Sequence, residues 1–125
     1  MTKQVIITSN SPDLPFSRAI KAGNYVFISG QVGDMDPKTG EAVRGIEGQT
    51  KQCLEKIRGV LEAAGLNLDD VVKVTVFLRN TDDFAKMNEV YRRYFTENPP
   101  ARSTIITGLV RPSMLIEVEC IAYNL

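Results

Sequence analysis

Histidine is absent from these 125 residues and cysteine appears only twice. Without an imidazole, any acid–base chemistry falls to carboxylates, lysine, tyrosine, cysteine or water. The usual nitrogen ligand of zinc is missing too. Cys53 and Cys120 lie far apart with no Cys-x-x-Cys pair, so no metal is expected and both read as buried, reduced thiols. Net charge is also lacking: 15 Lys and Arg balance 15 Asp and Glu, which leaves no broad field to attract nucleic acid or an anionic membrane. No apolar run approaches bilayer length, and the opening MTKQVIITSN has neither the apolar stretch nor the cleavage pattern of a secretory leader. A soluble, cytoplasmic protein is expected. The length suits a single domain, residues 1–125, around one core.

The patterning that is present predicts an α+β chain in the order ββ(β)αβαββ. Lys3 to Thr8 reads as a short strand, and a second is expected from Phe16 to Lys21 after the interruptions at Pro12 and Pro15. Tyr25 to Gly30 is β-branched and aromatic between turn signals, and Gly30 suits a bulge or a close backbone approach. Asp34 to Gly40 reads as an exposed turn. Its Asp-x-Asp start lacks the later acidic ligand of a calcium loop, and Gly30-Gln31-Val32-Gly33 lacks the Lys-Ser/Thr of a phosphate loop. From Ile46 to Ala64 the apolar positions recur at three- and four-residue intervals, which predicts an amphipathic helix stopped by Gly65. Val71 to Arg79 alternates as a strand with Val72, Val74, Val76 and Leu78 on one side. Thr81 is placed to cap a second helix running through Tyr94, with Phe84, Met87, Val90, Tyr91 and Tyr94 inward. Two strands, Arg102 to Thr107 and Met114 to Tyr123, close the chain.

The last strand sets Ile116, Val118, Cys120 and Ala122 on one face and Leu115, Glu117, Glu119, Ile121 and Tyr123 on the other. Two helices cover only one face of a sheet, and the remaining face is too apolar to be left wet. A homo-oligomer packed sheet against sheet, with small-molecule clefts between subunits, resolves this. Arg102, following Pro99-Pro100-Ala101 at the mouth of a strand, is suited to grip a carboxylate through two parallel hydrogen bonds. Bland alternatives stand beside that reading. Arg102 would equally pair with a surface carboxylate, Glu117 or Glu119 with a cation between subunits, while Ser29 suits packing and Asn88 suits solvent.

Together, Ser29-Gly30-Gln31, the DPKTG of 36–40, the PARS of 100–103 and the IEVECIA of 116–122, in this order with two helices between them, resemble the RidA (YjgF-like) family of enamine/imine deaminases. The similarity runs nearly end to end. The resemblance implies a chorismate-mutase-like fold, a mixed sheet with two helices on one face, and a homotrimer with a central barrel and three inter-subunit clefts. It also implies hydrolysis of 2-imino acids, such as that from 2-aminoacrylate, to 2-keto acids and ammonia without a cofactor. By position, Arg102 matches the arginine that binds the substrate carboxylate and Glu117 the glutamate that holds the attacking water. Ser29 and Asn88 match further residues near the cleft. Phe16 stands where the family usually has tyrosine, and Thr104 where cysteine usually follows Arg-Ser.

An imino acid needs a cation for its carboxylate and a positioned water for its C=N carbon, and Arg102 and Glu117 supply both. A non-catalytic trimer that recognises 2-keto acids is the alternative in which the departures at Phe16 and Thr104 have removed turnover. Ribonuclease activity or inhibition of translation, attributed to relatives, conflicts with zero net charge and the missing histidine. Chorismate mutase would share the fold, but several converging cations for a dicarboxylate are not evident.

Overall fold

A computed structural model describes residues 2–6 and 13–125. Among the described residues, six strands form one mixed sheet: β1 (Gln4–Ile6), β2 (Ala19–Ala22), β3 (Tyr25–Val32), β4 (Val71–Leu78), β5 (Ala101–Ile106) and β6 (Ile116–Tyr123). Helix α1 (Ile46–Ala63) follows β3, and α2 (Phe84–Tyr94) joins β4 to β5. The spatial order is β1-β2-β3-β6-β4-β5. Only the β4–β5 pair is parallel, as a crossover through a helix requires; the other pairs run antiparallel. β1 and β5 are therefore the two edges.

α1 forms where the apolar stripe predicts it, burying Ile46, Cys53, Leu54, Ile57, Val60 and Leu61. Its end is set by Gly65, whose φ of 77° is in the left-handed region. The Gly65 N–H donates to the Glu62 carbonyl at 3.0 Å and the Leu66 N–H to the Leu61 carbonyl at 2.8 Å, which satisfies two otherwise orphaned carbonyls. Both helices pack on one face of the sheet against Val74, Val76, Leu78, Ile116, Val118 and Cys120. Cys53 and Cys120 are free and buried, as expected. Close approach of α1 to the end of β3 depends on Gly33, where a Cβ would run into the backbone of Gln49.

β1 is described over Gln4–Ile6, and its expected end at Thr8 lies outside the described residues. Three differences from the sequence reading have a local reason. β2 begins at Ala19, so Phe16 precedes it in irregular chain after Pro15 and is 61% exposed. In β4 the register slips between Val71 and Lys73; Val71 is buried and Val72 is turned out to solvent, reversing its expected direction. Thr81 does not cap α2. It opens a 3₁₀ turn, Thr81–Asp83, and α2 starts at Phe84 without a side-chain cap. Phe84 is correspondingly exposed, whereas Met87, Val90 and Tyr91 face inward as predicted.

Candidate functional site

The bulge in β3 shapes the site. Ile28 pairs with Cys120 and Gln31 with Val118, so Ser29 and Gly30 together span the space opposite Glu119. Gly30 meets its expectation as bulge and close approach at once: a Cβ there would overlap the carboxylate of Glu117. Ser29 Oγ donates to the Ser17 carbonyl at 2.7 Å, and the Ser29 N–H donates to the Arg18 carbonyl at 2.9 Å. These bonds tie the irregular segment that carries Phe16 to the bulge. Behind them, buried Gln31 donates through Nε2 to the Ser29 carbonyl at 2.8 Å and accepts from Arg18 Nη1 at 2.9 Å.

The result is a cleft of about 550 Å³ with apolar walls from Leu14, Phe16, Val32, Val110 and Met114, and with Ser29, Arg111, Glu117 and Glu119 as its polar groups. Glu117 also reaches a smaller hollow beside Phe77 and Val110. Burial raises its carboxyl above the usual glutamate range, and the negative charge of Glu119 adds to the effect. A carboxylate so placed is a better proton acceptor than a solvated one.

Loop 107–115 borders both hollows and is pinned from three sides. Arg79 donates through Nε to the Met114 carbonyl and through Nη2 to the Arg111 carbonyl, each at 2.8 Å. Gln49 of α1 donates to the Ser113 carbonyl and accepts from the Leu115 N–H, each at 2.9 Å. Asp34 accepts from Arg111 Nε at 3.2 Å, Arg111 Nη2 at 3.0 Å and Ser113 Oγ at 2.7 Å. Burial would raise the Asp34 carboxyl, but the hydrogen bonds from Arg111 and Ser113 outweigh it and hold the group below its ordinary value. The expectation of an exposed turn is thereby corrected at its first residue, because Asp34 is buried. Sequence reasoning missed Asp34, Gln49, Arg79 and Arg111. The available signal was Gln49-Thr50 on the apolar stripe of α1, where a polar pair implies buried hydrogen bonding.

Arg102 lies elsewhere. It pairs with Val74, which is fully buried on the helix side, and directly paired residues share a face, so Arg102 leaves β5 towards α2. Its guanidinium carbon stands 4.7 Å from the ring centre of Tyr91 and 5.8 Å from that of Phe84. Thr104 pairs with Val76 and shares this side. Asn88 lies on α2 between Phe84 and Tyr91, and its Oδ1 is buried without a hydrogen-bond partner among the described residues, as is the Tyr91 hydroxyl. Glu117 pairs instead with Phe77 on the open face.

The candidate residues thus form two groups: Phe16, Ser29 and Glu117 at the bulge cleft, and Asn88, Arg102 and Thr104 at the β5 edge. Their positions in the register, Val74 against Phe77, are separated by about 10 Å along the strand, with two strand spacings of roughly 4.8 Å across. One chain does not bring Arg102 and Glu117 together, so a pocket holding both must be shared between chains. Among the described residues no cluster of His, Cys, Asp or Glu is arranged to hold a metal ion, and no helix is long and apolar enough to cross a membrane.

The sequence model of the family described as Endoribonuclease L-PSP matches residues 7–124. A RutC family protein of Pyrococcus horikoshii is 55% identical over 125 residues, covering 98% of each chain. The 2-iminobutanoate/2-iminopropanoate deaminase of Salmonella typhimurium is 38% identical over 124 residues, covering 95% of this chain and 96% of its own. A crystal structure of an endoribonuclease candidate from Thermotoga maritima superposes with a TM-score of 0.89 at 42% identity, covering 99% of both chains.

Proposed function

The chain belongs to the Endoribonuclease L-PSP family, the YjgF/RidA family, and from that membership we propose that it hydrolyses 2-imino acids to 2-keto acids and ammonia, without a cofactor, in clefts between the subunits of a homotrimer. One observation carries the reading. Among the described residues neither Arg102 nor Glu117 has an ion-pair partner, yet they occupy the helix side of an edge strand and the open face of the same sheet. Two unpaired, opposite charges facing away from each other suit a site completed by a neighbour.

In that site Arg102 of one chain binds the substrate carboxylate bidentately, and Glu117 of the next orients a water on the C=N carbon. The water adds to the carbon of the protonated imine as Glu117 takes one of its protons, giving a neutral carbinolamine. The same carboxyl returns that proton to nitrogen and then takes the hydroxyl proton as the C–N bond breaks, so that the C=O of the 2-keto acid forms and ammonia leaves. The raised Glu117 carboxyl brings its proton affinity nearer neutrality, where a base that must also act as an acid works best. Losing a positioned general base costs about 10²–10⁴-fold in rate, the range expected for Glu117→Gln.

Subunit complementation tests the reading. Arg102→Ala and Glu117→Gln are each expected to be inactive when a dehydratase supplies 2-aminoacrylate. Co-refolded mixtures should regain activity, because one interface then joins an intact arginine to an intact glutamate. Mixtures that stay at the uncatalysed rate would sink the shared site. The departures at Phe16 and Thr104 favour a second reading, a trimer that binds 2-keto acids without turning over imines; calorimetric keto-acid binding by an inactive wild type would select it. Cleavage of RNA by the wild type and by Arg102→Ala alike would instead favour the activity named in the family description.

A further inference from the structure

We propose that Phe84 and Tyr91 are positioning residues, an aromatic bracket that holds Arg102 ready for a carboxylate without neutralising it; the proposal rests on the reading of Arg102 given above. Four other arginines hydrogen-bond to oxygens of their own chain: Arg18 to Gln31, Arg58 to Glu55, Arg79 to carbonyls of loop 107–115 and Arg111 to Asp34. Arg102, like Arg44, Arg92 and Arg93, has no hydrogen bond to a carbonyl or carboxylate among the described residues, but it alone of these arginines lies over two rings. A carboxylate partner would occupy the in-plane N–H fork that a ligand requires and would have to be displaced. A ring face attracts the cation from above the plane and leaves that fork open.

The two rings differ in rigidity. Tyr91 is 7% exposed and packs against Phe95 with ring centres 4.8 Å apart, so its face is fixed by the core. Phe84, two turns earlier on α2 and 43% exposed, is the outer of the two rings, its centre 5.8 Å from the guanidinium carbon. The spacing of seven residues puts both on one helix face. Burial pushes the Tyr91 phenol up to about 12 against the pull of the Arg102 charge, so the bracket stays neutral across the working pH range.

The test measures imine turnover in a dehydratase-coupled assay and binding of 2-ketobutyrate by calorimetry. Tyr91→Leu is expected to raise both KM and the keto-acid Kd about tenfold while kcat stays within about threefold, the pattern of lost ground-state binding. Tyr91→Phe, which keeps the ring face, should recover most of that loss. Unchanged KM and Kd in Tyr91→Leu would overturn the proposal, as would Tyr91→Phe behaving like Tyr91→Leu, since the hydroxyl would then be the active group. If Tyr91→Leu does not fold, Phe84→Leu at the exposed ring decides: a rise in Kd supports the bracket and an unchanged Kd overturns it. A wild type that binds 2-ketobutyrate but does not turn over the imine sinks the deaminase reading and leaves Kd to judge the bracket. A wild type that does neither sinks both.

Discussion

At the scale of single residues, Gly30 and Glu117 behave as one feature. The atoms that a Cβ at Gly30 would meet belong to the far end of the Glu117 side chain, and Gly30 is not among the positive-φ glycines. Gly30→Ala should therefore displace the carboxylate and leave the fold alone: a stability change under about 1 kcal/mol with a fall in kcat of roughly a hundredfold, measured by denaturation and steady-state kinetics. The raised Glu117 carboxyl has a sign that denaturation can also read. Below the ordinary value of 4.5 the group is protonated in folded and unfolded chains alike; as pH rises through its higher folded value, ionisation must occur against burial and Glu119, and stability is lost. Glu117→Gln should match the wild type in denaturation midpoint at acid pH and exceed it near neutrality. Equal midpoints at both would contradict the raised value. Gly30 was legible in the sequence as a glycine inside a strand pattern. Asp34 was not, because its partners Arg111 and Ser113 are distant in the chain and only the folded structure brings them to it.

At the scale of elements, periodicity identified α1, the core face of β6 and the inward side of α2, since burial imposes a repeat that can be counted. Val72 and Thr81 escaped for one reason: a bulge and a 3₁₀ turn each shift the phase of a pattern by local backbone geometry that leaves little trace in composition. The α1 stripe is the main buried apolar surface against the sheet, so Leu54→Ala, at a fully buried position, should cost about 2–5 kcal/mol in chemical denaturation. Arg79→Ala removes hydrogen bonds to two loop carbonyls at 2.8 Å and should speed amide exchange across 107–115 more than elsewhere. Uniform protection in that variant would mean that Gln49 and Asp34 hold the loop without it.

At the scale of the whole molecule, the face of the sheet opposite the helices carries Tyr25 and Phe27, 46% and 44% exposed, beside Ile121, Tyr123 and Phe77. This apolar face was legible from alternation in β6, whereas the separation of Arg102 from Glu117 required the strand order, which neighbours in sequence do not reveal. If the face packs between chains, Phe27→Asp should sediment as single subunits and lose imine turnover while remaining folded. An intact oligomer would place the contact elsewhere. The opposed placement of the two charges has a further result for kinetics. If the proposed pocket is shared, a chain by itself holds only unfinished halves, so specific activity should decline on dilution below the dissociation constant of the assembly and recover, with a lag, when the protein is concentrated again; the catalyst would then be a property of the encounter between copies and not of any one of them.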